Sequence, residues 1–208
     1  MECEIKAKKN IVDMVKLYSF FTVALLSAAL SMSAAQGMNA KGEVGLSAKD
    51  AETARSEVLA KWRLDKAAAL RHNDDESAIV IGENKLKFWY KEFGEEPEGG
   101  HSLWISMHGG GGTTEKINNG QWDNQKRLYK PAEGYYLCPR APWNAWNMWF
   151  QAPIDALFEE LIATMVTVKG VNPDKIYIMG YSAGGDGAWR LAPRLADHWA
   201  AAAMMASP

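Results

Sequence analysis

Residues 175–187, KIYIMGYSAGGDG, constrain this chain more than any other stretch. Ile176, Tyr177, Ile178 and Met179 read as a buried strand, and the run stops at Gly180, Ser182 and Gly184, which form G-x-S-x-G. A hydroxyl is a poor nucleophile, so a reactive serine must project from a tight strand-to-helix turn where a base can reach it. Small residues on either side allow the strained backbone and the close approach of neighbouring elements. The spacing predicts a helix over 183–199 after the turn.

A second stretch belongs with the first. The apolar run 103–107 ends in His108, Gly109, Gly110, Gly111 and Gly112. With no side chains in the way, backbone N–H groups of such a loop can point at a developing oxyanion, with the N–H of Ala183 as their partner. A glycine cluster alone is often only a flexible turn. Together, HGGGG and GYSAGGDG resemble the α/β-hydrolase superfamily, and look like its secreted esterase and depolymerase-like branches. The resemblance covers 102–208. It implies an α/β fold with a mostly parallel sheet and helices on both faces. It also implies Ser182 as nucleophile, the N–H groups of Gly110, Gly111 and Ala183 as oxyanion hole, and a carboxylic ester, small or polymeric, as substrate.

A chain of 208 residues suits one domain with a sizeable core. The formal net charge of −2 carries no basic block, which argues against nucleic acid or an anionic membrane surface as partner. His, Cys, Asp and Glu show no metal-ligand spacing, and no dinucleotide fingerprint occurs at a strand-to-helix turn, so neither metal nor organic cofactor is expected.

The start differs in character. Lys6, Lys8, Lys9 and Lys16 precede an uncharged apolar segment, 17–30, and the small residues Ser31, Ser33, Ala34 and Ala35 follow. This is the layout of a secretory signal peptide over 1–35, and it predicts an exported, periplasmic or secreted protein without stable membrane insertion after cleavage. A retained anchor is the alternative, although the segment is short of the ~20 residues a spanning helix needs. Cys138 would then stand alone, and its place in an apolar run reads as a buried strand cysteine rather than a nucleophile.

Residues 36–46 read as a linker. An N-terminal helical segment over 47–76 follows: Ser47 and Asp50 have capping-box spacing, and Ala54, Val58, Leu59, Trp62, Ala69 and Leu70 recur at helical intervals up to Arg71, with 73–76 as breaker. Its reading is plain packing or, alternatively, a lid or partner-binding helix. The hydrolase domain is expected over 77–208. It should open on a hairpin of strands 77–81 and 86–90, then alternate: strand 103–107, a long irregular loop, strand 135–138, helix 154–168 and strand 175–179. That alternation argues for βαβ units.

Residues 139–151 carry Trp143, Trp146 and Trp149 beyond a strand's C-terminal end, where open α/β sheets place ligands. These tryptophans read as substrate contacts stacking on sugar rings or aromatic acyl groups, with Asn144 and Asn147 fixing orientation and His108 at the same end, or equally as anchors of the loop to the core.

The histidines expose a gap. The fold's order along the chain is nucleophile, acid, histidine, and after Ser182 only Asp186, Asp197 and His198 follow. On a continuous helix His198 would lie roughly 24 Å from Ser182. His108 begins the glycine loop, a place the resemblance gives to loop support. His101 lies at the wrong strand end and His72 at a helix end. The acid and histidine of a triad are therefore not assigned, and the expectation is a fragment whose C-terminal strands are missing and which is inactive alone. Two other readings stay open: a prolyl-oligopeptidase-like serine peptidase, and a non-catalytic hydrolase-fold protein binding a glycan or polymer.

Overall fold

The computed structural model describes residues 46–207. The expected signal peptide and nearly all of the expected linker lie outside the described residues. The chain divides into two units at Lys66 and Ala67. The first unit contains the start of α1 (Ala48–Asp75). There Ser47 Oγ accepts the N–H of Asp50 at 3.2 Å and donates to its carboxylate at 2.6 Å, which satisfies an otherwise orphaned helix donor.

The second unit begins with the end of α1. The helix runs on to Asp75, past the Arg71 end expected, because the polar residues read as breakers have partners. Asn73 Nδ2 donates to Glu160 and Thr164, both at 3.1 Å. Asp74 accepts the Tyr90 hydroxyl at 2.9 Å and pairs with Lys169 at 2.8 Å. Such contacts outweigh weak intrinsic preferences. Ser77, at φ 48°, then turns the chain out of the helix.

Six strands follow: β1 (Ala78–Ile81), β2 (Asn84–Phe93), β3 (Leu103–Met107), β4 (Gly134–Arg140), β5 (Ile176–Tyr181) and β6 (Ala201–Met205). They form one sheet in the order β1-β2-β4-β3-β5-β6. β1 and β2 are antiparallel, as are β2 and β4, while β3 pairs in parallel with both β4 and β5, and β5 with β6. Ile81 pairs with Asn84, so Gly82 and Glu83 make the hairpin turn. The fold is thus mixed α/β with a mostly parallel sheet.

Three further helices connect the parallel strands: α2 (Glu115–Leu128), α3 (Ile154–Val168) and α4 (Ala183–Arg194). α2 lies on the sheet face that bears Ser106 and Tyr136, where Gln125 donates to Ser106 Oγ at 2.7 Å and accepts the Tyr136 hydroxyl at 2.6 Å through its carbonyl. α4 lies on the opposite face, beside Met107: a side chain at Gly187 would come within 3.3 Å of the Met107 sulfur. Helices therefore cover both faces, and Leu103, Ile105, Leu137 and Phe158 are sealed between the layers.

Two expectations are corrected. The segment read as an irregular loop between β3 and β4 contains α2, which turns its amides inward: its buried residues are Asn118 and Gln125, so no apolar period marks it. The helix expected over 183–199 ends at Arg194. Pro193 lies in its last turn, and a short 3-10 turn, Ala196–His198, replaces the rest.

The connection from β3 runs across the sheet to β4, whereas that from β5 runs the other way to β6. The carboxyl ends of β3 and β5 therefore flank a topological switch point, where open α/β sheets form a crevice.

Asp74 joins α1, β2 and the residue after α3. Burial alone would push the Lys169 ammonium down, but the bonds to Asp74 and Tyr90 hold it above its ordinary range. Replacing Asp74→Ala should cost about 2 kcal/mol, less than for a fully buried pair, since Lys169 keeps some contact with water. A urea midpoint unchanged from wild type would show that the pair does not hold these elements.

Candidate active site

Ser182 sits between β5 and α4 with φ 54° and ψ −123°, a conformation that costs a non-glycine residue on the order of 1–3 kcal/mol. Two backbone bonds hold it. Its N–H donates to the Met205 carbonyl of β6 at 2.9 Å, and its own carbonyl accepts the Asp186 N–H at 3.0 Å. The flanking glycines are needed for space. A Cβ on Gly180 would meet the Gly184 carbonyl, and one on Gly184 would meet the Met107 carbonyl at the end of β3. Asp186, in the first turn of α4, is placed to favour that helix end electrostatically.

The glycine loop lies against this turn. A Cβ on Gly109 would be 3.1 Å from the Tyr181 carbonyl oxygen and 3.3 Å from Ser182 Cβ, so the loop and the turn are in tight contact there. Gly110 and Gly111 have φ of +110° and +118°. Asn118 of α2 clasps Gly111: its Oδ1 accepts the Gly111 N–H at 3.0 Å, and its Nδ2 donates to the Gly111 carbonyl at 3.0 Å. This corrects one expectation, because the Gly111 N–H is committed to Asn118 and is not presented to a ligand. Ala183 opens α4, so its N–H has no acceptor within the helix. The oxyanion-hole reading thus narrows to Gly110 and Ala183.

Arg140, at the end of β4, braces the loop from both sides. Its Nη2 donates to Asn144 Oδ1 at 2.6 Å, and the same oxygen accepts from Asn118 Nδ2 at 2.9 Å. Its Nη1 donates to the Ala141 carbonyl at 2.6 Å, while the Ala141 N–H donates to His108 Nε2 at 3.2 Å. With Nε2 accepting, Nδ1 carries the proton and donates to the Gly109 carbonyl at 2.6 Å. The indole of Trp149 donates to the His108 carbonyl at 2.9 Å and packs edge-on against the imidazole.

His108 and Trp149 are both fully buried, so neither meets a substrate as expected; each holds the loop. Trp143 is half-buried. Trp146 is 71% exposed, its backbone lies against Gly111 and Gly112, and its ring packs on Phe150. Of the three tryptophans it alone is both open to solvent and beside the glycine loop.

No histidine among the described residues is placed to act on Ser182. His108 has both ring nitrogens engaged. His101 precedes β3, and its carbonyl accepts from Asn172, which puts it at the amino end of the sheet. Ser182 lies at the carboxyl end, beyond Met107 and Tyr181, roughly 20 Å or more away at ~3.3 Å per strand residue. His198 shares that far end, because Ala200 donates to the carbonyl of Ile176 at the start of β5. His72 is exposed on α1. The Cys138 thiol is buried, which pushes it up to about 12 and keeps it protonated. Sequence reasoning missed Asn118 and Arg140, and it read Asn144 as orienting a substrate, whereas its amide oxygen holds Arg140 and Asn118. A signal for Asn118 existed in the cap residue Thr114, whose hydroxyl accepts the Ile117 N–H at 3.4 Å.

No protein-family model matches the chain, and no curated protein matches it.

Burial, reinforced by the charge of Arg140, pushes the His108 imidazole down from 6.5 to about 4. Its folded pKa is below its unfolded one, so between those values the unfolded chain binds more protons. The contribution of His108 is therefore complete above about pH 6.5 and is lost as pH falls towards 4, by about 3 kcal/mol in all. Urea midpoints should drop more steeply over this window for wild type than for His108→Asn. Equal slopes would contradict a buried neutral imidazole.

Proposed function

We propose that this chain carries the nucleophile of a serine hydrolase of the α/β-hydrolase fold, acting on carboxylic esters through an acyl-enzyme. One observation carries the reading: Ser182 holds a left-handed backbone at a strand-to-helix turn, with a polyglycine loop packed against its Cβ. Non-glycine residues rarely accept that backbone, and stored strain of this kind gathers at functional sites. The antiparallel leading strands before the parallel part, and the position of the turn at the switch point, agree with the same fold.

In this reading Ser182 Oγ attacks the ester carbonyl carbon, and its proton passes to a base. The carbonyl oxygen, becoming an oxyanion, accepts from the N–H groups of Gly110 and Ala183. The alcohol leaves with a proton, and water then releases the acid and restores the serine. No histidine of the chain is assigned as that base: all four lie among the described residues, and none is placed to act on Ser182. Trp146 on the rim supplies an apolar surface for the acyl or alcohol part of the substrate.

A second reading, a hydrolase-fold protein that binds a glycan or polymer without cleaving it, draws on the exposure of Trp146 beside the glycine loop and on a serine that no described histidine reaches. Rates of p-nitrophenyl acetate hydrolysis by the protein from its native source separate the two. The hydrolase reading expects turnover that falls by about 10³-fold or more in Ser182→Ala, because the nucleophile acts in every cycle. Turnover unaltered by that substitution, or none at all, would contradict it.

A further inference from the structure

A cleft of about 280 Å³ lies beside β2, β4 and α2, and Ser182 is not part of its wall. Its lining includes Lys85, Lys87, Arg140, Trp122, Glu115 and Asp123. Lys85 and Lys87 are two residues apart on β2 and so share a sheet face. Lys87 is directly opposite Arg140 on β4, which puts all three cations on that face.

The charges do not balance within the cleft. Lys85 and Lys87 form no ion pair among the described residues, and both are exposed. Arg140 is only 7% exposed, yet its hydrogen bonds go to neutral oxygens, those of Asn119, Ala141 and Asn144. A buried cation without a contacting carboxylate is costly. Asp123 is already engaged by Lys126 at 2.9 Å, which leaves Glu115 as the carboxylate set against three cations. Three of the five guanidinium donors are used in those bonds, so donors remain. The side chain is fixed by the network that braces the glycine loop, and a fixed fork of N–H groups beside two lysines is the donor set that recognises carboxylate or phosphate.

We propose that this cleft binds an oxyanion, a carboxylate or phosphate on a ligand of about monosaccharide size, through Lys85, Lys87 and Arg140. The volume is just under the ~300 Å³ at which pockets for larger organic ligands begin, so one small charged group fits it. The site does not depend on the chemistry at Ser182, and its test needs no turnover.

Isothermal titration of the chain at low salt with D-galacturonate, inorganic phosphate and D-galactose tests it. At least one anion should bind saturably, neutral galactose should not, and Lys85→Ala/Lys87→Ala should weaken binding about tenfold or more. Tighter binding of galacturonate identifies a carboxylate ligand, and tighter binding of phosphate a phosphorylated one. Both lysines are exposed, so the variant should keep its circular dichroism. On unmodified protein, added sodium chloride should weaken binding. Galactose binding as well as galacturonate, anion binding indifferent to salt or to both lysines, no anion binding, or binding of a divalent cation at Glu115 and Asp123 instead would each overturn the proposal.

Discussion

The left-handed backbone of Ser182 is the constraint on which the surrounding structure depends. An unfavourable conformation persists only where its surroundings over-determine it. Here they do so with backbone alone. The Met205 carbonyl of β6 takes the serine N–H, and Gly180, Gly184 and Gly109 let three backbone segments close around the turn without a side chain between them. β6 consequently has a local purpose beyond extending the sheet. Gly185 lets α4 sit close to it, since a Cβ there would come to 2.7 Å from the Met205 carbonyl oxygen.

The glycine loop poses the opposite problem. Backbone free enough to adopt φ above +100° is also free to leave it, since glycine loses the most entropy on ordering. Side chains supply the order that the loop lacks. Asn118 clasps Gly111, His108 ties Gly109, and both lines meet at Arg140 through Asn144 and Ala141. A burial-lowered imidazole pKa follows from the same arrangement, because a neutral ring with one donor and one acceptor suits a dry site beside a guanidinium. The fixed charge of Arg140 also links this network to the cationic cleft.

What could be read from the residues alone follows from where the apolar side chains fall. β3, β5 and α3 bury continuous or periodic apolar sets, and their positions were legible to within a residue or two. The turn at Ser182 was legible because its tight backbone needs small residues at fixed offsets. α2 was not, because its inward face is built from amides that satisfy backbone rather than from hydrocarbon. The same reason hid Arg140, which looks in sequence like the solvated end of a strand. The tryptophan loop was half legible. Its aromatic content showed that it mattered, but only three-dimensional packing separates Trp149, an anchor with its indole N–H satisfied inside, from Trp146, which faces solvent.

A reactive nucleophile at Ser182 differs from a strained structural serine in that it is phosphonylated by an electrophile. Treating the native protein with a fluorophosphonate and mapping the adduct by peptide mass spectrometry addresses that directly. The account predicts a single phosphonyl adduct on the peptide containing Ser182, blocked by prior incubation with an ester substrate. An unmodified Ser182 peptide, with the protein folded and the reagent active on a control hydrolase, would contradict it.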